Sequence, residues 1–173
     1  IGDDGAVVRP AHGDLVVSCD PVVEGVHFAS DAPARLNGRK VVNRNLSDLA
    51  AMGAVPDWLL LSAVLPRGMS ARRRRSLFEG VRAAAEEAGC AVIGGDIATT
   101  EGPLVLTVTA IGHLRSRALR RGGARAGDAL HVSGPLGGAS LGHHLRFNAH
   151  LAEGQWLARQ PAVTAAIDVS DGL

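Results

Sequence analysis

Apolar positions along the chain follow two rhythms, and each predicts an element. Between residues 38 and 53 they recur every three or four positions (Val41, Val42, Leu46, Leu49, Ala50), which is the stripe of a helix, and Gly53 is suited to close it. The same spacing through Leu77, Phe78, Val81, Ala84 and Ala85, behind Ser70 as N-cap, predicts a second helix to Glu87, with Gly89 ending it. Short unbroken apolar runs predict strands at residues 6–8, 14–19, 58–65, 91–93 and 104–111, and residues 21–28 read as an extended segment bent at Gly25. The run at 58–65 is apolar throughout, as a strand covered on both faces is.

Strands and helices that alternate in this way describe an α/β domain, layered in the α+β manner, over residues 1–114. A basic, glycine-rich stretch at 115–128 (RSRALRRGGARAGD) reads as a connector. Beyond it a strand at 129–133, a turn at 135–138 and helices at 139–147 and 152–158 would begin a second α/β domain within 129–173. The chain starts at Ile1 and stops just after a Ser-Asp-Gly turn, so it reads as incomplete.

Composition narrows the function classes. The 173 residues suffice for a substantial core. Aromatic residues make up 3% and the net charge is +1, which argues against stacking on single-stranded nucleic acid and against a field that draws the chain to nucleic acid or membrane. The run Arg72 to Arg75 reads as a solvated helix face. Cys19 and Cys90 have neither metal spacing nor a disulfide framework, which suits a cytoplasmic location, and no apolar run is long enough to span a membrane.

Acidic residues carry the chemistry. Seven of the eleven aspartates (Asp3, Asp4, Asp20, Asp48, Asp96, Asp168, Asp171) lie in Gly-flanked turns, at expected strand ends or on the small-residue helix, with few basic neighbours in sequence. Carboxylates without clustered His or Cys point to hard divalent ions, Mg²⁺ or Mn²⁺. Mg²⁺ takes few protein ligands and fills its shell with water and phosphate, so many carboxylates imply several ions and a polyphosphate substrate. No Walker A sequence occurs, and the single lysine, Lys40, follows no glycine loop. Arg120 and Arg121, ahead of Gly122-Gly123, are placed to clamp phosphate.

The strings IGDDGAVV, SCDPVVEGVHF, NLSDLAAMGAVP, IGGDIATTEGPL, RRGGARAGD and IDVSDGL, in this order, resemble thiamine-monophosphate kinases, of the wider superfamily of aminoimidazole-ribotide-synthetase-like ATP-binding proteins. The resemblance runs over essentially the whole chain. It implies ATP-dependent phosphorylation of thiamine monophosphate to thiamine diphosphate with several Mg²⁺ ions, in a homodimer paired through its sheet. It further implies metal positions at Asp4, Ser18, Cys19, Asp20, Asp48, Asp96, Asp168 and Asp171, ATP contacts at Gly95, Asp96, Arg121 and Ser170, and a substrate contact at His27. Position 19 usually holds Thr or Ser in the family, so Cys19 would serve through its backbone carbonyl. The acceptor is itself a phosphate monoester, with a second pKa of about 6, so it is largely dianionic at neutral pH and no general base is implied. Competing readings are a sister enzyme such as selenophosphate synthetase or aminoimidazole ribotide synthetase, a two-metal phosphohydrolase, and a non-catalytic nucleotide-binding module.

Overall fold

The computed structural model describes residues 13–170. Strands β1 (Leu15–Val23), β2 (Ala54–Pro66), β3 (Ala91–Thr100) and β4 (Val105–Leu114) form one sheet in the order β1-β4-β2-β3. β4 pairs antiparallel with both β1 and β2, while β2 and β3 run parallel and are joined by a crossover helix. That helix, α2 (Ala71–Glu87), packs beside α1 (Ala34–Met52) on one face of the sheet. The strand expected at 6–8 lies outside the described residues.

Local chemistry explains most of these elements. Ser70 caps α2 by accepting a hydrogen bond from the Arg73 backbone at 3.2 Å. Gly53 ends α1 in the left-handed conformation, its N–H bonded to the Ala50 carbonyl. α1 begins at Ala34 and not at residue 38: Pro33 stands at the N-cap, outside the helical conformation with ψ of 122°, and its carbonyl accepts the Leu36 N–H at 2.8 Å. The two helices touch backbone to backbone: a Cβ at Gly38 would stand 2.1 Å from the Leu77 carbonyl oxygen, and one at Gly80 would stand 2.0 Å from that of Arg35.

The strands are longer than the apolar runs suggested. β1 continues through Pro21 to Val23, which an outer strand tolerates because, among the described residues, one side of its backbone is unpaired. β2 starts at Ala54 and absorbs Pro56 at an irregularity between Pro56 and Trp58. β3 does not stop at Gly94-Gly95-Asp96 but runs on to Thr100, so Asp96 sits mid-strand on an edge and not at a strand end. Ile93 is an extra residue in β3, since Leu59 pairs with Val92 and Leu60 with Gly94. Such a bulge reverses which face every later side chain takes.

Period-two alternation sorts the sheet into two faces. Leu106, Val108 and Ala110 of β4, Leu59, Leu61 and Ala63 of β2, and Val16 and Val22 of β1 turn towards the helices and form the core. The opposite face carries Leu15, Val17, Cys19, Leu60, Ser62, Asp96, Thr107, Thr109 and Ile111, and no described element covers it: Val17 is 60% exposed and Leu15 43%.

After β4 the chain doubles back over α1. Helix α3 (Leu151–Ala158) packs on α1, tied by Ser116 Oγ to the Ala158 carbonyl at 3.0 Å and by the Arg117 guanidinium to the Gln160 carbonyl at 2.8 Å. Residues 129–133 form no strand, since no extended segment among the described residues lies beside them, and Leu130 is 84% exposed. The helix expected at 139–147 resolves into two short 3-10 turns, Ala139–Leu141 and His143–Leu145, interrupted by Gly142 in the left-handed region. α1 is thus enclosed by the sheet, α2 and this returning segment, which is why Asn37, Lys40, Asn43 and Asn45 are all buried on it.

Candidate functional site

Alternation along β1 sends Ser18 and Asp20 towards α1, and there they meet Arg44, Asn45, Ser47 and Asp48. Asn45, fully buried, grips both backbone groups of Asp20: its Oδ1 accepts the Asp20 N–H at 2.8 Å, and its Nδ2 donates to the Asp20 carbonyl at 3.2 Å and to the Val41 carbonyl at 2.9 Å. The Arg44 Nε donates to Asp20 Oδ2 at 3.0 Å. Ser18 Oγ donates to Asp48 Oδ2, and Ser47 Oγ donates to Asp168 Oδ2 at 3.0 Å, which brings in the returning segment.

These oxygens carry more negative charge than their surroundings neutralise. The Asp48 carboxyl is pushed above its usual range, first by burial and then by the Asp168 and Asp20 carboxylates, against the opposing pull of the Ser18 hydroxyl and Arg44. The donor set is oxygen only, with no His or Cys among it, as hard divalent ions require. Ser18, Asp20, Asp48 and Asp168 therefore fit Mg²⁺ in donor chemistry and in charge. Among the described residues no three His, Cys, Asp or Glu side chains already stand together as a finished cage, and Mg²⁺ does not demand one, because water and phosphate complete its shell.

Beside this cluster is a tight turn. The His27 N–H bonds to the Val23 carbonyl at 2.8 Å and the Gly25 N–H to the Phe28 carbonyl at 2.8 Å. Because the Val23 N–H donates to His27 Nδ1 at 3.0 Å, the neutral ring carries its proton on Nε2. Burial, followed by the Arg44 and Lys40 charges, holds the His27 pKa below its usual value. Glu24 staples the turn to the rest of the fold, accepting the Leu104 N–H at 3.1 Å and the Arg73 guanidinium at 3.3 Å. Lys40 reaches the turn from α1 and donates to the His27 carbonyl, while its Nζ lies 2.5 Å from His144 Nδ1.

The remaining expected positions lie elsewhere. Cys19 and Asp96 face the open side of the sheet, Cys19 with Thr109 Oγ1 at 3.3 Å from its sulfur and Asp96 in register with Ser62. Among the described residues β1 and β3 are the outer strands of the sheet, three strand spacings or about 14 Å apart. Asp20 and Asp96 of one chain therefore cannot share an ion. Gly95 has a cause within the sheet itself: its φ is +144° and a Cβ there would stand 1.8 Å from the Leu61 carbonyl oxygen. Arg121 sits exposed in a single 3-10 turn (Arg121–Gly123), and Ser170 is exposed at the end of the described residues. Asp4 and Asp171 lie outside them.

Arg44, Asn45, Lys40, Glu24 and His144 were not singled out by sequence reasoning. For Asn45 and Lys40 a signal existed, since an enclosed helix with polar residues one and two turns before Asp48 must partner them, but it reads only once the enclosure is known.

Residues 2–114 match the family described as AIR synthase related protein, N-terminal domain. The thiamine-monophosphate kinase of Rhodopirellula baltica is 39% identical over 181 residues, covering 99% of this chain and 57% of that protein. Among solved structures, thiamine-monophosphate kinase from Stenotrophomonas maltophilia superposes with a TM-score of 0.88 at 38% identity, over 99% of this chain and 61% of that one. A structure described as AaThiL complexed with AMPPCP and TMP gives a TM-score of 0.81 at 28% identity, over 100% and 61%. The chain thus spans less than two thirds of the length of these relatives.

Proposed function

Because this chain belongs to the AIR synthase related family through its N-terminal domain, we propose that it is part of an enzyme that phosphorylates thiamine monophosphate to thiamine diphosphate with ATP as donor. The observation that carries this reading is the oxygen cluster of Ser18, Asp20, Asp48 and Asp168, held between β1 and α1 next to the His27 turn. Its support is the likeness, over the whole chain, to a structure described with AMPPCP and TMP bound. Transfer between two phosphates asks little of acid-base chemistry and much of charge control: the acceptor is already largely dianionic, and two anions must be held in line. Mg²⁺, when bound, supplies charge neutralisation and oriented phosphate oxygens. Asn45 and Arg44 fix Asp20, Ser18 orients Asp48, and His27 presents Nε2–H to the acceptor phosphate. Arg121, Ser170 and Gly95 with Asp96 make the ATP side, and Asp4 and Asp171 add further metal ligands.

The same reading takes residues 1–114 as the ATP and metal domain, 115–128 as connector and 129–173 as the beginning of a second domain. The end of the family match at 114 supports that division. No described helix is long and apolar enough to cross a membrane, and both cysteines are free. A cytoplasmic location is part of the proposal.

A homodimer completes it. The open sheet face is apolar at Leu15, Val17, Leu60 and Ile111, and it carries Cys19 at one edge and Asp96 at the other. A second copy laid on that face by a two-fold axis covers the apolar side chains and brings the Asp96 of one chain towards the β1 edge of its partner. The Cys19 carbonyl then adds an oxygen where that Asp96 arrives. Val17→Lys, which places a charge at the most exposed of these positions, is expected to sediment as a monomer and to lose activity. A wild-type protein that sediments as a monomer at micromolar concentration overturns the dimer.

The kinase reading is tested on the full-length protein by Mg²⁺-dependent formation of thiamine diphosphate. Asp96→Asn should lower kcat on the order of 10² or more. Turnover without thiamine monophosphate, releasing inorganic phosphate, would identify a phosphohydrolase instead, and near-wild-type turnover of Asp96→Asn removes that residue from the site.

A further inference from the structure

Lys40 is the only lysine of the chain, and its side chain is pulled in where a lysine rarely sits, at 8% exposure. Its partners are neutral. The ammonium donates to the His27 carbonyl and meets His144 Nδ1 at 2.5 Å, and among the described residues no carboxylate pairs with it. Arg44, one turn along α1, adds a like charge, and with burial as the larger cause it brings the Lys40 pKa down to about 8. A buried cation without a counter-ion is a burden on stability, so packing alone gives no reason for a lysine here.

What sets Lys40 apart is the pair of segments it joins. The His27 turn follows β1 directly, whereas His144 lies in the 3-10 turn His143–Leu145, 104 residues further along the chain from Lys40. Neighbouring side chains of α1 fasten the same returning segment: Asn43 Nδ2 donates to the Phe147 carbonyl at 2.8 Å, and Arg39 to Asn148 Oδ1 at 3.1 Å. Only Lys40, among the described residues, bonds to both the returning segment and the His27 turn. His144, with its pKa also lowered by burial and then by Lys40, stays a neutral acceptor for the ammonium.

We propose that Lys40 is a positioning residue which ties the His27 turn to the docked His143–Leu145 turn, so that the acceptor-phosphate side of the site is in place only when the returning segment is seated on α1. The functional half of this inference rests on the reading of His27 as the acceptor contact. The mechanical half does not.

In the full-length protein, Lys40→Met should raise the KM for thiamine monophosphate about tenfold or more, since small misplacements of a binding group cost that much, while the KM for ATP stays within about twofold. Hydrogen exchange of backbone amides 23–28 and 143–147 should quicken together. His144→Phe, which leaves Lys40 intact, should speed exchange at 23–28 although His144 does not touch that turn, and it keeps the test available if Lys40→Met fails to fold. A KM for thiamine monophosphate that rises no more than that for ATP, or exchange that quickens in only one of the two segments, overturns the proposal. If the wild-type protein does not turn over thiamine monophosphate the kinase reading falls, and the exchange measurements still decide whether the tie exists.

Discussion

Asp48→Asn is expected to melt at a higher temperature than the wild type in the absence of divalent ions and, on the proposed kinase reading, to cost the full-length protein on the order of 10² or more in thiamine diphosphate formation. Both effects follow from one arrangement. Asp48 is partly buried and faces the carboxylates of Asp20 and Asp168, and Arg44 beside it is already occupied with Asp20. A carboxyl whose folded-state pKa is raised holds its proton more tightly in the folded than in the unfolded chain. Its stabilising contribution is therefore complete at pH values below the unfolded pKa and is lost as pH rises through the folded one. At neutral pH the ionised Asp48 is a burden on the metal-free protein, and an amide of the same shape removes it while still accepting the Ser18 hydrogen bond. The gain should be largest at neutral pH and should fade as pH falls into the acid range, where the wild-type carboxyl is protonated in the folded and unfolded chain alike. Added Mg²⁺ should stabilise the wild type more than the variant. Thermal melts at neutral and acid pH, with and without Mg²⁺, check this, and a variant that melts below wild type in neutral metal-free buffer shows that the cluster is not strained by its charge.

Gly95→Ala is expected to be the most destabilising single methyl addition in the sheet. Its Cβ would stand 1.8 Å from the Leu61 carbonyl oxygen and 2.9 Å from the Leu61 nitrogen, both backbone atoms of the central strand β2. Its φ of +144° is open to glycine and closed to side chains. Relief would require separating β2 from β3, so the loss should exceed about 4 kcal/mol, seen as poor soluble yield or a collapsed denaturation midpoint. Gly94→Ala is the control. Its Cβ would meet only the end of the Leu60 side chain at 3.2 Å, which can turn aside. If Gly95→Ala unfolds at a midpoint near the wild-type one, β3 does not carry the bulge described. Loss of activity in Gly95→Ala is in either case no measure of ATP contact, because the fold needs this glycine before any ligand does.

α1 and α2 were legible because their signals are local, whereas the helix expected at 139–147 is broken by Gly142. The Ser70 cap, the stripe from Leu77 to Ala85 and the Gly53 terminus each act within a turn or two of chain. The strands were legible as apolar cores but not in extent. Pro21 and Pro56 look like terminators until one knows that β1 is an edge and that β2 is irregular beside Pro56. Gly94-Gly95-Asp96 looks like a strand end because glycine and aspartate have low strand propensity, and it is pairing with β2 that carries β3 through to Thr100.

The site divides in the same way. Asp20, Asp48 and Asp168 stood out as acids in apolar or glycine-rich surroundings, Ser18 came only with the family resemblance, and the fold sets all four about the β1–α1 seam. Asp96 was expected among the same metal positions, and the Ile93 bulge turns it to the other face of the sheet. Lys40 and Asn45 escaped notice because hydrophobic periodicity treats a polar residue as exposed, whereas the stretch of α1 that holds them is covered by the sheet, α2 and the returning segment.

The order β1-β4-β2-β3 also bears on how the molecule assembles. β1 leads the described chain, yet its only strand partner is β4, with Cys19 and Thr109 meeting across 90 residues. The β2-α2-β3 unit can form early from nearer contacts, and β4 then closes on β2. β1 is expected to gain its ladder last, because its pairing with β4 needs the longest loop closure in the sheet. Ser18 and Asp20 ride on that last strand. A chain stalled short of β4 would have α1 and α2 but not the pairing that holds Ser18 and Asp20 against α1, so the oxygen cluster is expected to be complete only when the sheet is.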